Sequence, residues 1–362
     1  MKIVVIGTRG IPNILGGVET HCEELYPRIA SQGHNVTIIR RSCYISPTNK
    51  LTEYKGINLI DIFAPHKKSL EAIIHTFLAI VKARTLNPDI VHIHAIGPSI
   101  LVPLARILGL KVVMTNHGPD YDRQKWGKLA KLILKIGESM GSRFANEVIV
   151  ISPTIQNIIA ERYGRTDSHL IFNGVTLPIK SNNTDYINEL QLLPQKYILA
   201  LGRFVKEKGF DLLIDAFNSI NTEHQYTLVL AGDADHEDTY SLQLKEKAKR
   251  NNVVLTGFIK GEKLNQIMTN AYLFVLPSYH EGLPISLLEA MSYNIDVLVS
   301  DISANQLPEL SHDDFFKCGS VESLKAELTR KISNIKTNRQ YNLANYNWDT
   351  IAQQVISVYK KP

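Results

Sequence analysis

The sequence predicts an α/β protein made of two doubly wound domains, and three observations support this. A chain of 362 residues is too long for one ordinary core and suits two domains. Short, almost continuously apolar runs alternate with helical patterns in both halves, as expected of parallel strands covered on both faces. A polar interval with two prolines, 176–196, separates the halves.

The domain boundaries follow from this pattern. We expect an N-terminal domain over 1–175, a linker over 176–196 and a C-terminal domain over 197–345. The segment 346–362 predicts a helix that can pack back on the N-terminal domain. Open α/β sheets bind ligands at the carboxyl ends of their strands, so a central cleft between the two domains is the expected site.

The individual elements are read from apolar runs and helical periodicity. The first half predicts strands at 2–6, 36–39, 57–63, 90–94, 111–115 and 147–151, and helices at 18–31, 70–86 and 125–141. The second half predicts strands at 197–201, 226–231, 252–256 and 273–277, and helices at 209–220, 240–251, 284–291 and 349–359.

Composition excludes several classes of protein. Hydrophobic residues make up 44% and charged residues 21%, which is typical of a globular protein. The three cysteines are scattered, so we expect reduced thiols rather than a disulfide framework or a zinc knuckle. The first residues predict a strand rather than a signal peptide, and no apolar run reaches the roughly 18 residues of a membrane span. We therefore expect a cytoplasmic location.

Charge is unevenly distributed between the halves. Residues 1–175 contain 21 lysines and arginines against 13 acidic residues, a balance of +8. The remaining residues contain 19 against 22, a balance of −3. This asymmetry predicts that the N-terminal domain faces an anionic partner.

The first candidate site is a glycine-bearing loop between the first strand and the first helix. It runs from Gly7 to Gly10 and on to Gly16 and Gly17. Backbone N–H groups of such a loop, with the positive end of a helix, can approach an anionic ligand. The spacing is not G-x-G-x-x-G, which argues against an ordinary dinucleotide site. A flexible turn is the alternative, with Glu19 a favourable partner of the helix dipole.

The second candidate is the loop 202–209, which reads GRFVKEKG. It carries Arg203 and Lys208 at the carboxyl end of a predicted strand, where an open sheet binds ligands. Two cations held there suit a diphosphate leaving group, because charge builds on its oxygens as the bond breaks. The alternative is a solvated basic loop.

The third candidate is SYHEGLPISLLEA, residues 278–290. Pro284 suits the first turn of a helix, which places Glu281 in the preceding loop and Glu289 more than one turn inside. Carboxylates accept two hydrogen bonds from neighbouring sugar hydroxyls, so the pair could hold two ends of one ligand.

Together, GRFVKEKGFDLLIDAF, AGDAD, LTGFI and SYHEGLPISLLEAM resemble, in this order, the retaining glycosyltransferases of family four, which have the two-domain GT-B fold. The motifs IGTRGIPNILGGVE, DIVHIHAIGPS and TNHGPDYDRQKWGKLAK are similar to its rhamnosyltransferase-like subgroup. The turn 231–234 departs from the family pattern, since Ala234 stands where many relatives have glycine.

The resemblance implies two Rossmann-like domains facing a cleft and transfer of a sugar from a nucleotide diphosphate donor to a glycan or polyprenyl-linked acceptor. It implies retention at the anomeric carbon, and a hexose or a deoxyhexose such as rhamnose as the sugar. The setting would be bacterial surface polysaccharide such as O-antigen or capsule. The implied catalytic residues are Arg203, Lys208, Glu281 and His117; donor binding adds Gly16, Gly17, Gly282, Leu283 and Glu289; and acceptor binding falls on Glu19 and His94.

No metal or other cofactor is expected, and the nucleotide sugar is a co-substrate. His92 and His94 form an H-x-H pair at the end of a strand, but the sequence gives them no evident third ligand. His94 is better interpreted as lining the site. We therefore expect a metal-independent enzyme.

Residues 125–141 predict a basic amphipathic helix with Trp126, Leu129, Ala130, Ile133 and Ile136 near one face. Such a helix can lie on anionic lipid, which would make the protein peripheral at the inner face of the plasma membrane. We favour the alternative, in which the apolar face packs in the core and the lysines extend to solvent.

Two rival functions remain open. One is a GT-B-fold sugar-nucleotide epimerase, which would require no second acceptor substrate. The other is a non-catalytic partner subunit that binds a sugar nucleotide. Nucleic acid is not an expected partner, because the basic residues are not interleaved with aromatic residues in the manner of a stacking platform.

Overall fold

The structure is a computed structural model that describes residues 1–47, 49–65, 71–122, 127–220, 226–234, 237–333 and 339–361. The chain forms two compact units. Unit 1 comprises Met1–Gly174 and a returning segment that begins at Tyr346, and unit 2 comprises Val175–Asn345. None of the described helices is long and apolar enough to cross a membrane.

Unit 1 is built on a sheet in the order β3-β4-β2-β1-β5-β6-β7-β8, in which every pair is parallel except β3 with β4. Its strands are β1 (Lys2–Ile6), β2 (Asn35–Arg41), β3 (Glu53–Tyr54), β4 (Ile57–Ile62), β5 (Ile90–His94), β6 (Val112–Asn116), β7 (Glu147–Val150) and β8 (His169–Leu170). Its first helices are α1 (Gly17–Ser31), α2 (Glu71–Leu86), α3 (Val102–Ile107), α4 (Lys128–Phe144) and α5 (Pro153–Tyr163). The central strands are buried on both faces, as their continuous apolar runs predict.

Unit 2 contains a second sheet in the order β11-β10-β9-β12-β13-β14, whose pairs are parallel. Its strands are β9 (Tyr197–Leu201), β10 (Thr227–Ala231), β11 (Val254–Leu255), β12 (Leu273–Leu276), β13 (Asp296–Ser300) and β14 (Phe315–Phe316). Its helices are α6 (Asp185–Glu189), α7 (Phe210–Asn218), α8 (Thr239–Arg250), α9 (Gly261–Asn270), α10 (Ile285–Ser292) and α11 (Val321–Ser333).

The last helix, α12 (Trp348–Tyr359), packs on unit 1 rather than on unit 2. Its buried residues Trp348, Ile351, Val355 and Tyr359 share a core cluster with residues of α1 and the unit 1 sheet. A helix with two aromatic anchors thus completes the hydrophobic core of a unit whose other residues end at Gly174.

The interval 176–196, expected to be a linker, is instead packed into unit 2. It contains α6, where Tyr186 and Ile187 are buried. The backbone N–H of Tyr186 donates to Gln266 Oε1 at 2.8 Å, and that of Ser181 donates to Asn265 Oδ1 at 3.2 Å. These apolar residues and amide partners anchor the segment, although its composition resembles that of a linker.

The sequence favoured an α4 whose apolar face packs in the core, but the structure leaves large apolar residues of this helix exposed. Leu129 is 71% exposed, Leu132 54% and Ile136 40%. The buried side of α4 instead carries Gly137 and Gly141. A Cβ on Gly137 would overlap the carbonyl oxygen of Ile96, so small residues let this face approach the protein closely. Leu129, Leu132 and Ile136 are left exposed, whereas Ala130 and Ile133 of the predicted apolar face are half-buried. Lys125 and Trp126, and Leu70 at the start of another predicted helix, lie outside the described residues.

Candidate active site

In each unit, the predicted site residues follow strands at the point where the strand order reverses. The order β2-β1-β5-β6 places this point between β1 and β5, and β10-β9-β12-β13 places it between β9 and β12. Ligands of open α/β sheets bind at the carboxyl ends of the strands at such a point. The glycine loop follows β1 and His94 ends β5, whereas the 202–209 loop follows β9 and Glu281 follows β12.

The glycine loop of unit 1 lies directly against the end of β5. Gly7 has φ of 97°, and a Cβ at this position would overlap the carbonyl oxygen of His94. Gly16 precedes α1 without a side-chain cap, and Gly17 is the exposed first residue of the helix. The loop therefore presents backbone at the start of α1, as an anion-binding loop requires.

Glu19 turns back from α1 into this loop and is only 6% exposed. Its Oε1 accepts from the Thr8 hydroxyl at 3.3 Å and from the backbone N–H of Arg9 at 3.0 Å. The Arg9 guanidinium in turn donates to the carbonyl of Leu15 at 3.0 Å. These contacts give Glu19 a role in shaping the loop, and acceptor binding by Glu19 stays a prediction.

Four imidazoles meet at the carboxyl edge of the unit 1 sheet, and we call them the histidine cluster. Its members are His21 on α1, His92 and His94 on β5, and His117 directly after β6. His92 and His94 stack with ring centroids 4.3 Å apart, and His94 and His117 stack at 5.2 Å. His117 is half-buried and the other three are buried, so His117 is the most accessible member.

A continuous set of hydrogen bonds joins three of these imidazoles, those of His92, His94 and His117. Nδ1 of His94 lies 2.9 Å from Nε2 of His117, and Nε2 of His94 lies 2.5 Å from the hydroxyl of Tyr26. The same hydroxyl lies 2.9 Å from Nδ1 of His92, which is also 2.6 Å from the Tyr359 hydroxyl. The hydroxyls of Tyr26 on α1 and Tyr359 on α12 thus orient the two imidazoles that β5 carries.

The histidine cluster is neutral at ordinary pH. Burial, reinforced by neighbouring imidazoles, lowers the pKa of His21, His92 and His117 to about 3 and that of His94 well below its usual value. Unprotonated imidazoles retain a free lone pair, so the cluster can accept hydrogen bonds or bind a cation.

In unit 2, the 202–209 loop ends with Gly209 in the left-handed conformation, at φ of 64°. A Cβ on Gly209 would overlap the carbonyl oxygen of Pro277, so glycine allows the loop to lie against the end of β12. This approach places the ammonium of Lys208 2.6 Å from Oε1 of Glu281. Their side chains are 16% and 12% exposed.

The 202–209 loop is not the solvated basic loop that its sequence left open as an alternative. Lys206 is exposed, but Glu207 is 6% exposed and Arg203 is half-buried. The carbonyl of Glu207 accepts from the backbone N–H of Tyr279 at 2.8 Å, which ties the loop to the segment after β12. The loop is therefore an ordered wall of the site.

The segment after β12 positions the two glutamates. The hydroxyl of Ser278 donates to Oε1 of Glu281 at 2.7 Å, so Glu281 is held from two sides. Leu283 is buried, and Pro284 is the N-cap of α10 rather than its first residue. Glu289 is half-buried in the second turn of α10, as predicted.

The structure thus brings Lys208 to Glu281 in unit 2 and His94 to His117 in unit 1. Sequence reasoning missed His21 and Tyr26, which reach the cluster from α1. A signal was present, since both lie on the apolar face that α1 buries, together with Cys22, Leu25 and Ile29. Polar side chains on such a face indicate a buried hydrogen-bond network.

Comparison with known proteins finds glycosyltransferase-type domains in both halves of the chain. Residues 15–177 match the family described as Glycosyltransferase Family 4, and residues 183–359 match the one described as Glycosyl transferases group 1. An uncharacterized glycosyltransferase of Methanocaldococcus jannaschii is 25% identical over 99% of this chain and 98% of its own length. The putative teichuronic acid biosynthesis glycosyltransferase TuaC of Bacillus subtilis is 27% identical over 74% of this chain and 66% of its own.

Among solved structures, a sucrose-phosphate synthase of Thermosynechococcus elongatus matches with a TM-score of 0.79. It is 20% identical, and the match covers 99% of this chain and 98% of that one. The similarity shows a two-domain α/β fold of the GT-B class, as the sequence predicted.

Proposed function

We propose that this chain, which carries a family 4-type domain followed by a group 1 glycosyl transferase domain, transfers a sugar from a nucleotide diphosphate sugar to a glycan or lipid-linked acceptor. The observation that carries the proposal is the contact of Lys208 with Glu281 where the strand order of unit 2 reverses. A cation and a carboxylate there suit the two parts of one donor, its phosphates and its sugar hydroxyls.

In this proposal, Arg203 and Lys208 stabilise the departing diphosphate. The Lys208 ammonium has three donors and gives one to Glu281, so it can bind phosphate while still holding the carboxylate. Glu281 and the backbone at Gly282 and Leu283 contact the donor sugar, and Glu289 holds the ribose. Gly16 and Gly17 approach the donor phosphates, and His117 contacts the transferred sugar.

We propose that transfer proceeds with retention and without a metal ion. Front-face attack accounts for retention: the acceptor hydroxyl enters on the side from which the diphosphate departs, and a released phosphate oxygen takes its proton. Two cations then supply the charge stabilisation that a metal would otherwise give. The anomeric configuration of the first-formed product, read by NMR, tests retention, and an unchanged rate in EDTA tests metal independence.

The teichuronic acid relative supports a role in surface polysaccharide biosynthesis. We propose a hexose or a deoxyhexose such as rhamnose as the donor sugar. The test is a thermal-shift panel of nucleotide diphosphates and nucleotide sugars, followed by a transfer assay with the nucleotide that binds. A ligand at 100 times its Kd adds about 2.7 kcal/mol of stability. Stabilisation without transfer to any acceptor would favour the non-catalytic subunit, and conversion of the donor alone would favour the epimerase.

The role of the cations is tested with Arg203→Ala and a matched control. We expect Arg203→Ala to lower kcat by about 100-fold or more, as loss of one charge-stabilising donor does. Arg250→Ala is the control, because Arg250 is an exposed cation of the same unit with its guanidinium paired to Glu246. Equal turnover of the two folded variants would remove Arg203 from the mechanism.

A second proposal concerns the membrane surface, and the exposed stripe Leu129, Leu132 and Ile136 on α4 favours it. Lys128, Lys131 and Lys135 lie on the same helix, so it combines apolar insertion with attraction to anionic lipid. We expect the protein to cosediment with vesicles that contain phosphatidylglycerol, and less with pure phosphatidylcholine.

The vesicle assay has a matched control in unit 2. Leu129→Gln with Leu132→Gln removes two exposed leucines from α4 and is expected to reduce cosedimentation at least tenfold, because each inserted leucine contributes about 1.5–3 kcal/mol. Leu242→Gln removes a leucine of similar exposure, 52%, from α8. Equal binding by both variants would refute the α4 surface.

A further inference from the structure

Three imidazoles of the histidine cluster face one another closely enough to share a ligand. One ring nitrogen from each of His21, His94 and His117 lies within 4.8 Å of those of the other two. The ring of His21 stands at 61° to that of His94 and at 82° to that of His117, with centroids 5.5 and 5.0 Å away. Three nitrogens thus converge from a helix, a strand and a loop.

The outer nitrogens of two of these rings are already held by oxygen atoms. Nδ1 of His21 donates to Oδ1 of Asn173 at 3.0 Å, which leaves Nε2 as the free nitrogen of that ring. Nε2 of His94 bonds to the hydroxyl of Tyr26, which leaves Nδ1 facing His117. Histidines that bind metals almost always have their second nitrogen oriented by an oxygen in this way.

His92 is outside this set, although it is the other half of the H-x-H pair. Its Nδ1 is engaged by the hydroxyls of Tyr26 and Tyr359, and its Nε2 lies 2.7 Å from the Thr115 hydroxyl. The partners that the sequence did not reveal for His94 are therefore His21 and His117, 73 and 23 residues away along the chain.

The donor set selects the class of ion. Three neutral imidazoles suit Zn²⁺, Co²⁺ or Ni²⁺, whereas Mg²⁺ and Ca²⁺ prefer oxygen ligands. Zinc binds imidazole nitrogen at about 2.0–2.1 Å, so two such nitrogens on a tetrahedral ion lie about 3.3 Å apart. The His94–His117 pair, at 2.9 Å, has to open by a few tenths of an ångström, and the nitrogen of His21, which lies within 4.8 Å of both, has to approach to the same spacing.

We propose that His21, His94 and His117 form a binding site for a divalent transition-metal ion of the zinc class, with a fourth position open to water. In the metal-free protein one of the facing nitrogens of His94 and His117 donates to the other. The ion replaces this hydrogen bond, and His117 then carries its proton on Nδ1. The half-buried ring of His117 provides the route of entry.

Metal binding at this site inhibits sugar transfer, and this part rests on the proposed function. His117 is expected to contact the transferred sugar through its outward nitrogen, Nδ1, which can accept a hydrogen bond from a sugar hydroxyl when Nε2 carries the proton and donates to His94. An ion bound at Nε2 moves that proton to Nδ1, so the ring can no longer accept the hydrogen bond. The site is thus inhibitory, and catalysis itself needs no metal.

The first test measures metal binding alone, on the full chain without any histidine tag and stripped with EDTA. Co²⁺ is the probe, because its visible absorption is intense when it is four-coordinate and weak when it is six-coordinate. We expect one equivalent of Co²⁺ per chain to give the intense spectrum and one equivalent of Zn²⁺ to abolish it. A weak, unsaturable spectrum from the folded wild-type protein would overturn the proposal.

Three variants identify the ligands. His21→Ala is expected to abolish the saturable spectrum, and Asn173→Ala to weaken binding by about 10–100-fold, as loss of an orienting partner does. His312→Asn, which removes an exposed imidazole of unit 2, is the matched control and should bind as wild type. Each variant is first shown to be folded by circular dichroism. A spectrum unchanged in folded His21→Ala would overturn the proposal even if the wild-type protein binds cobalt.

The inhibition is measured separately. Zn²⁺ at one equivalent should suppress transfer by wild type at least tenfold, EDTA should restore it, and His21→Ala should resist the ion. If no acceptor supports transfer, the proposed function fails, but the cobalt spectrum still shows whether the three histidines bind a metal ion. If wild type binds one Zn²⁺ and transfers at full rate, the inhibitory role is refuted.

Discussion

Replacing Lys208 by methionine tests whether unit 2 depends on the ion pair that the site contains. The ammonium lies 2.6 Å from Oε1 of Glu281, and both side chains are more than four-fifths buried. Removal of one partner of a buried pair typically costs 3–5 kcal/mol, because the other charge is left without compensation. Glu281 keeps the Ser278 hydroxyl at 2.7 Å, so we expect a loss at or below the lower end of this range, about 2–3 kcal/mol.

The matched variants are Glu281→Gln and the double variant. Glutamine retains an oxygen that can accept from Ser278 but leaves the ammonium of Lys208 without its charge partner. In Lys208→Met with Glu281→Gln no charge of the pair remains, so the double variant should be more stable than the sum of the single losses predicts, by about 1–2 kcal/mol. It should nevertheless be inactive, because the phosphates have lost one of their two proposed cations and the donor sugar has lost its carboxylate.

Two spectroscopic signals separate the units in a urea titration. The sequence of unit 2, Val175–Asn345, contains no tryptophan, so tryptophan fluorescence reports unit 1 while far-UV circular dichroism reports both units. The loss of stability in the Lys208 and Glu281 variants should appear only in the transition followed by circular dichroism. Strictly additive losses would refute the pairing, and full turnover by the double variant would refute the role of Lys208 in transfer.

Three further predictions follow from the packing. Burial lowers the pKa of His21, His92 and His117, so these histidines bind protons more readily in the unfolded chain than in the folded one. In EDTA, the free energy of unfolding of unit 1 should therefore have its full value above pH 6.5 and should fall between pH 6.5 and about 3, by about 1.4 kcal/mol per pH unit for each histidine. A urea midpoint, followed by fluorescence, that is equal at pH 7 and pH 5 would contradict this. Gly209→Ala should destabilise unit 2 by about 1–3 kcal/mol in dichroism, whereas Gly261→Ala, also at positive φ but with open space around it, should cost less. Trp348→Ala removes a ring that is 3% exposed and should cost about 3–5 kcal/mol, so a loss below 1 kcal/mol would show that α12 is dispensable.

The fold was largely predictable because its central strands are apolar on both faces. The predictions for β1, β5 and β9 match the observed bounds, and other predicted strands differ mainly at their ends. The elements that were not predicted are strands β3, β8, β13 and β14 and helices α3, α5, α6, α9 and α11. Of these, β13 has the same kind of short apolar run as the predicted strands. Element ends are set by capping and by neighbouring strands, which local periodicity does not contain.

The site was predictable where side chains follow parallel strands, because these strand ends meet at one edge. His94 and His117 belong to this class, and so does the loop that carries Lys208. His21 lies at the same edge because α1 begins after the loop that follows β1, but which side chains of its first turns face the strand ends depends on how the helix packs, which a single sequence does not determine. The exposed face of α4 has a similar cause: periodicity reveals two faces, but the glycines decide which one packs.

The return of α12 to unit 1 has a consequence for synthesis on the ribosome. The first 174 residues emerge without the helix that supplies Trp348 and Tyr359 to their core, and all 171 residues of unit 2 are translated in between. At about 5–20 residues per second, this interval lasts roughly ten to thirty seconds. Unit 2 is therefore the first part of the nascent chain with a complete set of core residues, and the N-terminal half reaches its final fold only after it.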